Sequence, residues 1–263
     1  MIPSVNASRP IVTTVVFWVG LAGAWHNALA QAQARAGTPQ VPFIGCESGG
    51  QVGPLKAPKE KGVRLAVPTE IANRVAYYQA ENGFGILAPR GWYCFSTYGS
   101  SGSSLFVSPK PINDKRLFTS DWKGFSGPTI QVSVSYGDTS GRFTVAKTIA
   151  RVFPDRMEFV RKVLSEGIDP ASSFPTTPYA SDTLERRGKN IVEFKTPANT
   201  KGLGSQSQLS VDSGPIQGVV ILSGEEPNLV QLSMRLPDRY QSLARTIIQQ
   251  LETEAMDQHI DKE

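Results

Sequence analysis

Over residues 129–136 the apolar side chains Ile130, Val132, Val134 and Tyr136 alternate with Gln131, Ser133 and Ser135. Alternation of this kind is the period of a β-strand, whose successive side chains point to opposite faces. One face of such a strand packs on a core and the other meets water or a helix. The period returns over 228–236, where Val230, Leu232, Met234 and Leu236 share a face. Shorter strand-like runs at 84–88, 104–108, 183–185, 190–196 and 218–223 add to these, so the chain is expected to fold around a sheet.

Helical periods interrupt the strands. Val145, Ile149 and Val152 form one apolar stripe, and Met157, Val160, Val163 and Leu164 continue it. Pro154 lies between, which predicts a kink or two abutting helices, the second with proline in its first turn and a stop at Gly167. Thr69 is placed to cap a short helix reaching Tyr78, with Ile71, Val75 and Tyr78 at helical spacing. Asp238 is the expected cap of a last helix striped by Tyr240, Leu243, Ala244, Ile247 and Leu251. Residues 168–181 are rich in Pro, Ser and Thr and read as a loop. The fold class is therefore α+β, an antiparallel sheet with helices packed on it.

Ahead of this body, the apolar run from Ile11 to Trp25 follows Arg9 and precedes the small-residue triplet Ala28-Leu29-Ala30. A membrane-spanning helix needs about 20 residues, so the shorter run reads as a secretory leader cleaved after Ala30. The chain then divides into a leader at 1–30, an extended Gly-, Pro- and Lys-rich arm at 31–64, a single α+β domain at 65–256 and a polar tail at 257–263. A periplasmic or secreted location is expected, with no transmembrane segment once the leader is gone. The 27 Lys and Arg against 23 Asp and Glu give a net charge of +4, or +3 without Arg9. The basic residues are scattered and accompany no nucleic-acid-binding pattern, so no nucleic-acid partner is expected.

Cys46 and Cys94 both follow the leader, and an even count in an exported chain argues for one disulfide, tying the arm to the first strands. The two histidines are His26, in the leader, and His259, near the end. Imidazole-based catalysis and most zinc sites are thereby set aside for the folded body, and no metal or cofactor is expected.

The remaining candidates are of different kinds. Trp92, Tyr93, Phe95 and Tyr98 run into a Gly/Ser stretch at 99–103, which suits a binding loop with Trp92, Tyr98, Ser100 and Ser101 as ligand contacts. The competing reading puts Trp92 and Phe95 in the core beside the disulfide and makes the glycines a turn. Ser120 and Lys123 match the S-x-x-K spacing in which lysine takes a proton from serine one helical turn away, although Gly124 and Gly127-Pro128 favour a loop there. Glu185, Glu193, Glu225 and Glu226 are the candidates for paired-carboxylate chemistry, and the last two precede Pro227 in an expected hairpin turn. Gly202-Leu203-Gly204 lacks the third glycine of a dinucleotide fingerprint and reads as a flexible loop.

A strand opened by Gly83-Phe84 and running into Pro89-Arg90-Gly91-Trp92, a meander through 129–136, one helical excursion, more antiparallel strands and a closing helix resemble the PsbP/Mog1-like α/β/α sandwich over residues 82–255. The resemblance implies a non-catalytic accessory or partner-binding protein. The arm, the Gly/Ser loop and a long insertion at 196–215 depart from that pattern, so no family binding residue transfers. The expectation is an exported, non-catalytic protein that binds a partner or small ligand in the cell envelope. The alternative is a hydrolase without histidine, using Ser120 and Lys123 or paired carboxylates.

Overall fold

A computed structural model describes residues 40–59, 63–112, 117 and 119–260. The expected leader and the first residues of the arm lie outside them. Four short strands come first: β1 (Gln40–Val41), β2 (Phe43–Gly45), β3 (Ser48–Gly50) and β4 (Val63–Arg64). After them come α1 (Thr69–Ala72), β5 (Val75–Gln79), β6 (Ile86–Pro89), β7 (Tyr93–Gly99), β8 (Gly102–Ser108) and β9 (Thr129–Ser135). A helical pair, α2 (Arg142–Val152) and α3 (Met157–Ser165), is joined through the 3-10 turn Pro154–Arg156. The described chain ends with β10 (Thr183–Arg186), β11 (Ile191–Thr196), β12 (Ile216–Ser223), β13 (Asn228–Arg235) and α4 (Ala244–Ile260).

Eight strands form one sheet in the order β10-β11-β12-β13-β9-β8-β7-β3. All neighbours are antiparallel except β3, which lies parallel to β7. A smaller sheet, β2-β5-β6, again mixes one parallel and one antiparallel pair. The expected antiparallel sheet is present, with one parallel edge neighbour added in each sheet. The parallel neighbours come from residues 43–50, read as an extended arm; this segment threads along both sheets as edge strands and satisfies its backbone groups there.

The alternation seen over 129–136 and 228–236 separates the two faces of the large sheet. Leu105, Val107, Ile130, Val132, Val230, Leu232 and Met234 face Leu243, Ile247 and Leu251 of α4 and its lead-in. On the other side Val192, Phe194, Val220, Leu222 and Leu229 pack on Val145, Ile149, Val160 and Val163 of α2 and α3. Each such fully buried aliphatic side chain contributes about 1.5–3 kcal/mol over its exposed state, so these two layers hold the helices in place.

Three local expectations are overturned. The helix expected to reach Tyr78 stops at Ala72, and Val75–Gln79 is a strand. Val75, Ala76, Tyr77 and Tyr78 are all buried, so the segment is covered on both faces, and β-branched and aromatic side chains suit that surface better than a helix. Asp238 does not cap α4: a 3-10 stretch, Asp238–Leu243, leads in from Pro237 with no side-chain cap. The Gly202-Leu203-Gly204 segment is no flexible loop, because Leu203 is 2% exposed and all three residues are buried. The helix α4 also runs on to Ile260, into the stretch read as a polar tail. Among the described residues no helix is long and apolar enough to cross a membrane.

Candidate functional site

The strand register places Thr97 beside Ser104, Ser104 beside Ser133 and Ser133 beside Gln231. These four residues make a straight polar rung across β7, β8, β9 and β13. With neighbouring strands about 4.8 Å apart, the rung spans about 14 Å. It lies on the same face as the α2–α3 layer and gives way to Val220 and Val192 in the next two strands, where the helices cover the sheet.

The rung is the floor of a groove of about 530 Å³. Its walls come from the start of α2 (Ser140, Gly141, Thr144), the β7–β8 hairpin (Tyr98, Ser101, Gly102) and a 3-10 turn with its exit (Gln206, Ser207, Gln208). That turn belongs to the segment between β11 and β12, which Leu203 and Leu209 anchor in the core. Gly102 is required where it stands: its φ is +146°, and a Cβ there would collide with the Val134 carbonyl on β9.

Hydrogen bonds fix the orientation of the floor. The Gln131 side-chain oxygen accepts the backbone N–H of Gln208 at 2.7 Å, so the Gln131 Nε2 is the donor to Ser133 Oγ at 2.6 Å. Ser104 Oγ and Ser133 Oγ are 2.9 Å apart. A smaller depression continues past Gln131 and Gln208 to Phe106 and Trp122. The Trp122 indole N–H donates to Gln208 Oε1 at 3.0 Å, and its ring stands edge-on to Phe125 with centroids 5.0 Å apart.

None of the described residues lining the groove is Asp, Glu, Lys, Arg, His or Cys. Exposed protein surface ordinarily carries roughly 25–35% charged side chains, so an uncharged lining of this extent is not an ordinary solvated face. It offers hydroxyl and amide groups that both donate and accept.

The guanidinium of Arg235, on the same face of β13 as Gln231, braces the loops at 125–127 and 210–214. Arg235 is 4% exposed and donates to the carbonyls of Gly214 at 3.1 Å, Gly127 at 3.1 Å, Phe125 at 3.3 Å and Ser210. Burial lowers its pKa from the ordinary value, and the nearby Asp212 charge opposes that shift. The Asp212 carboxyl is itself held below the usual range by the N–H groups of Ser213, at 2.6 Å, and Gly127, at 2.8 Å.

The residues expected at a site fall in different places. Tyr98 and Ser101 line the groove. The Tyr98 hydroxyl donates to the Gly53 carbonyl at 2.6 Å, which leaves it at the rim. Ser100 is exposed at the hairpin tip, its backbone N–H donating to Gln51 Oε1 at 3.0 Å. Trp92 is 7% exposed and lies in the α4 layer, edge-on to Tyr240 at 5.9 Å. Its backbone N–H donates to Tyr78 Oη at 3.1 Å, and burial pushes that phenol up to about 12. Within the expected binding loop, Tyr93–Gly99 is the strand β7, and Ser100 and Ser101 turn the β7–β8 hairpin. Ser120 and Lys123 are both exposed on irregular chain, not on a helical turn. Cys46 and Cys94 form the expected disulfide, with Cα atoms 5.5 Å apart. Glu193 and Glu185 sit on the β10–β11 pair, where Glu193 is bridged to Arg187 and Arg245, while Glu225 and Glu226 turn the β12–β13 hairpin.

Thr97, Ser104, Gln131, Ser133 and Gln231 escaped the sequence reading as a site. Gln131 and Ser133 were visible as the polar positions of an alternating strand, but only the register joins them to the others. Comparison of the chain with protein-family models, curated proteins and solved structures finds no match.

Proposed function

We propose that the chain is an exported, non-catalytic protein that binds an uncharged, hydroxyl-rich ligand, such as a neutral oligosaccharide, in the groove above the Thr97–Ser104–Ser133–Gln231 rung. The observation that supports this reading is the lining itself: hydroxyls and amides in a row, with no charge among them. An ionic ligand would leave its charge without a partner in such a site, whereas each sugar hydroxyl, like the lining groups, donates and accepts at once. The disulfide between Cys46 and Cys94 is compatible with an extracellular or periplasmic location. Helices on both faces of the large sheet, with α4 closing the chain, support reading the fold more narrowly as a PsbP/Mog1-like sandwich.

Titration calorimetry with neutral tetrasaccharides (maltotetraose, cellotetraose, chitotetraose) and with the charged tetragalacturonate tests the reading. Saturable binding of a neutral sugar, weakened about tenfold in Gln231→Leu by loss of one or two hydrogen bonds, is the expected result. Binding confined to the charged sugar, or no binding at all, would overturn it.

A further inference from the structure

A second recess lies away from the polar groove, between α4 and the segment ahead of α1. It holds about 460 Å³ and has Leu65, Ala66, Val67 and Pro68 along one wall. Thr246, Gln249 and Thr253 of α4 form another, and Tyr77, Gln250 and Glu254 also line it. The charge is one-sided: its described lining residues include the carboxylates Glu254 and Asp257 and no Lys, Arg or His.

The Glu254 carboxylate is held by neutral donors. The Tyr77 hydroxyl donates to Oε2 at 2.8 Å, Gln250 Nε2 donates to Oε2 at 2.6 Å, and the Gly85 N–H donates to Oε1 at 3.2 Å. The Gln250 orientation follows from its oxygen, which accepts the Leu87 N–H at 3.0 Å. Among the described residues no cation pairs with Glu254. An ionised carboxylate has about four acceptor positions, so three donors leave room for one more. Burial works against the charged form and raises the pKa of the group.

Part of this arrangement is structural. Gln250 and Glu254 lie one turn apart on α4, a rise of about 6 Å, and meet the N–H groups of Leu87 on β6 and of Gly85 just before it, about 6.6 Å apart in extended chain. They cap that strand edge. The same three donors fix the carboxylate in one orientation, so its charge is preorganised beside an apolar wall.

We propose that this recess binds a monovalent organic cation with an apolar tail, the ammonium group seated on Glu254 and the tail along Leu65, Val67 and Pro68. Charge complementarity selects this occupant. A neutral amphiphile gains only the apolar wall, and an anion meets both Glu254 and Asp257.

The test compares octylammonium, octan-1-ol and octanoate, each titrated into the folded chain by calorimetry. Octylammonium is expected to bind about tenfold more tightly than octanol, with octanoate weakest. Glu254→Gln should bring octylammonium down to the octanol affinity and leave octanol unchanged. Asp257→Asn, an exposed position, should lower octylammonium affinity by about twofold without touching the β6 contacts. If Glu254→Gln does not fold, the three probes on the parent chain and on Asp257→Asn decide the matter. Octanoate binding as tightly as octylammonium, no discrimination between octylammonium and octanol, or no binding of any probe would overturn the proposal.

Discussion

The side-chain oxygen of Gln131, on β9, accepts the backbone N–H of Gln208 at 2.7 Å. The bond ties the floor of the polar groove to a wall drawn from the β11–β12 segment, far along the chain. Gln131 is 4% exposed and Gln208 is exposed, so the bond is part-buried. Gln131→Leu would leave the Gln208 N–H without this acceptor, a loss of about 1 kcal/mol. Expected outcomes are faster hydrogen exchange at the Gln208 amide and weaker ligand binding. Gln131→Glu keeps the acceptor and should protect the Gln208 amide while placing a charge on the floor. Equal exchange in the parent and Gln131→Leu would show that the wall stands without this bond.

Arg235 holds two loops through four carbonyls, which only a planar guanidinium fork can reach together. Arg235→Lys should therefore rescue little of the stability lost in Arg235→Met. The loss is expected to be about 2–3 kcal/mol, because the part-buried carbonyls of Gly127, Ser210 and Gly214 lose this donor, while that of Phe125 keeps Ser210. Urea unfolding of the three proteins is the measurement. A lysine variant with the parent midpoint would mean that charge near Asp212, rather than the fork, does the holding.

How much of this was legible in advance differs from element to element. The faces of β9 and β13 were readable because each strand packs on one side with its apolar set and presents the other set elsewhere. The break between α2 and α3 was readable because proline at 154 cannot continue the first helix. The strand Val75–Gln79 was not, since Ile71, Val75 and Tyr78 fit a helical stripe as well as a strand buried on both faces. Trp92 and Tyr98 were grouped as one aromatic loop. In the fold they part, because Trp92 drops into the α4 layer and β7 carries Tyr98 on to the groove rim. The rung itself depends on pairing between strands far apart in the chain, and no local pattern encodes that register.

Cys46 and Cys94 are 48 residues apart in sequence, and the bond between them holds the three-residue edge strand β3 against β7. In the chain-entropy account, closing a loop of this size contributes about 4 kcal/mol, an upper figure. Unfolding with and without reductant should show a loss of this order. A reduced protein that unfolds at the same urea concentration as the oxidised one would contradict the assignment.

Beside that bond, Ser48 and Ser96 sit in register on β3 and β7, and both hydroxyls are buried without a hydrogen-bond partner among the described residues. An unsatisfied hydroxyl is a cost that alanine does not carry. Ser96→Ala is expected to match the parent in stability or exceed it by about 1 kcal/mol. A clear loss in thermal unfolding would show that Ser96 has a partner after all.

Glu254 gives a test with a definite sign. Burial raises its pKa, and Asp257 adds to the rise, while the Tyr77 hydroxyl, the Gly85 N–H and the Gln250 amide pull it back. A carboxyl whose pKa is higher in the folded state contributes stability that is complete below its unfolded pKa, near 4.3, and is lost as pH rises through the folded pKa. Glu254→Gln cannot titrate, so its stability relative to the parent should increase as pH climbs from about 4 to neutrality. Glu252 on the same helix is also raised by burial, with Arg187 opposing, but it titrates in both proteins and cancels in the difference. Urea midpoints of parent and variant across this range are the measurement. A difference that stays flat or falls with pH would mean that the three donors outweigh burial, and that the carboxylate on α4 is held as an anion at no cost to the fold.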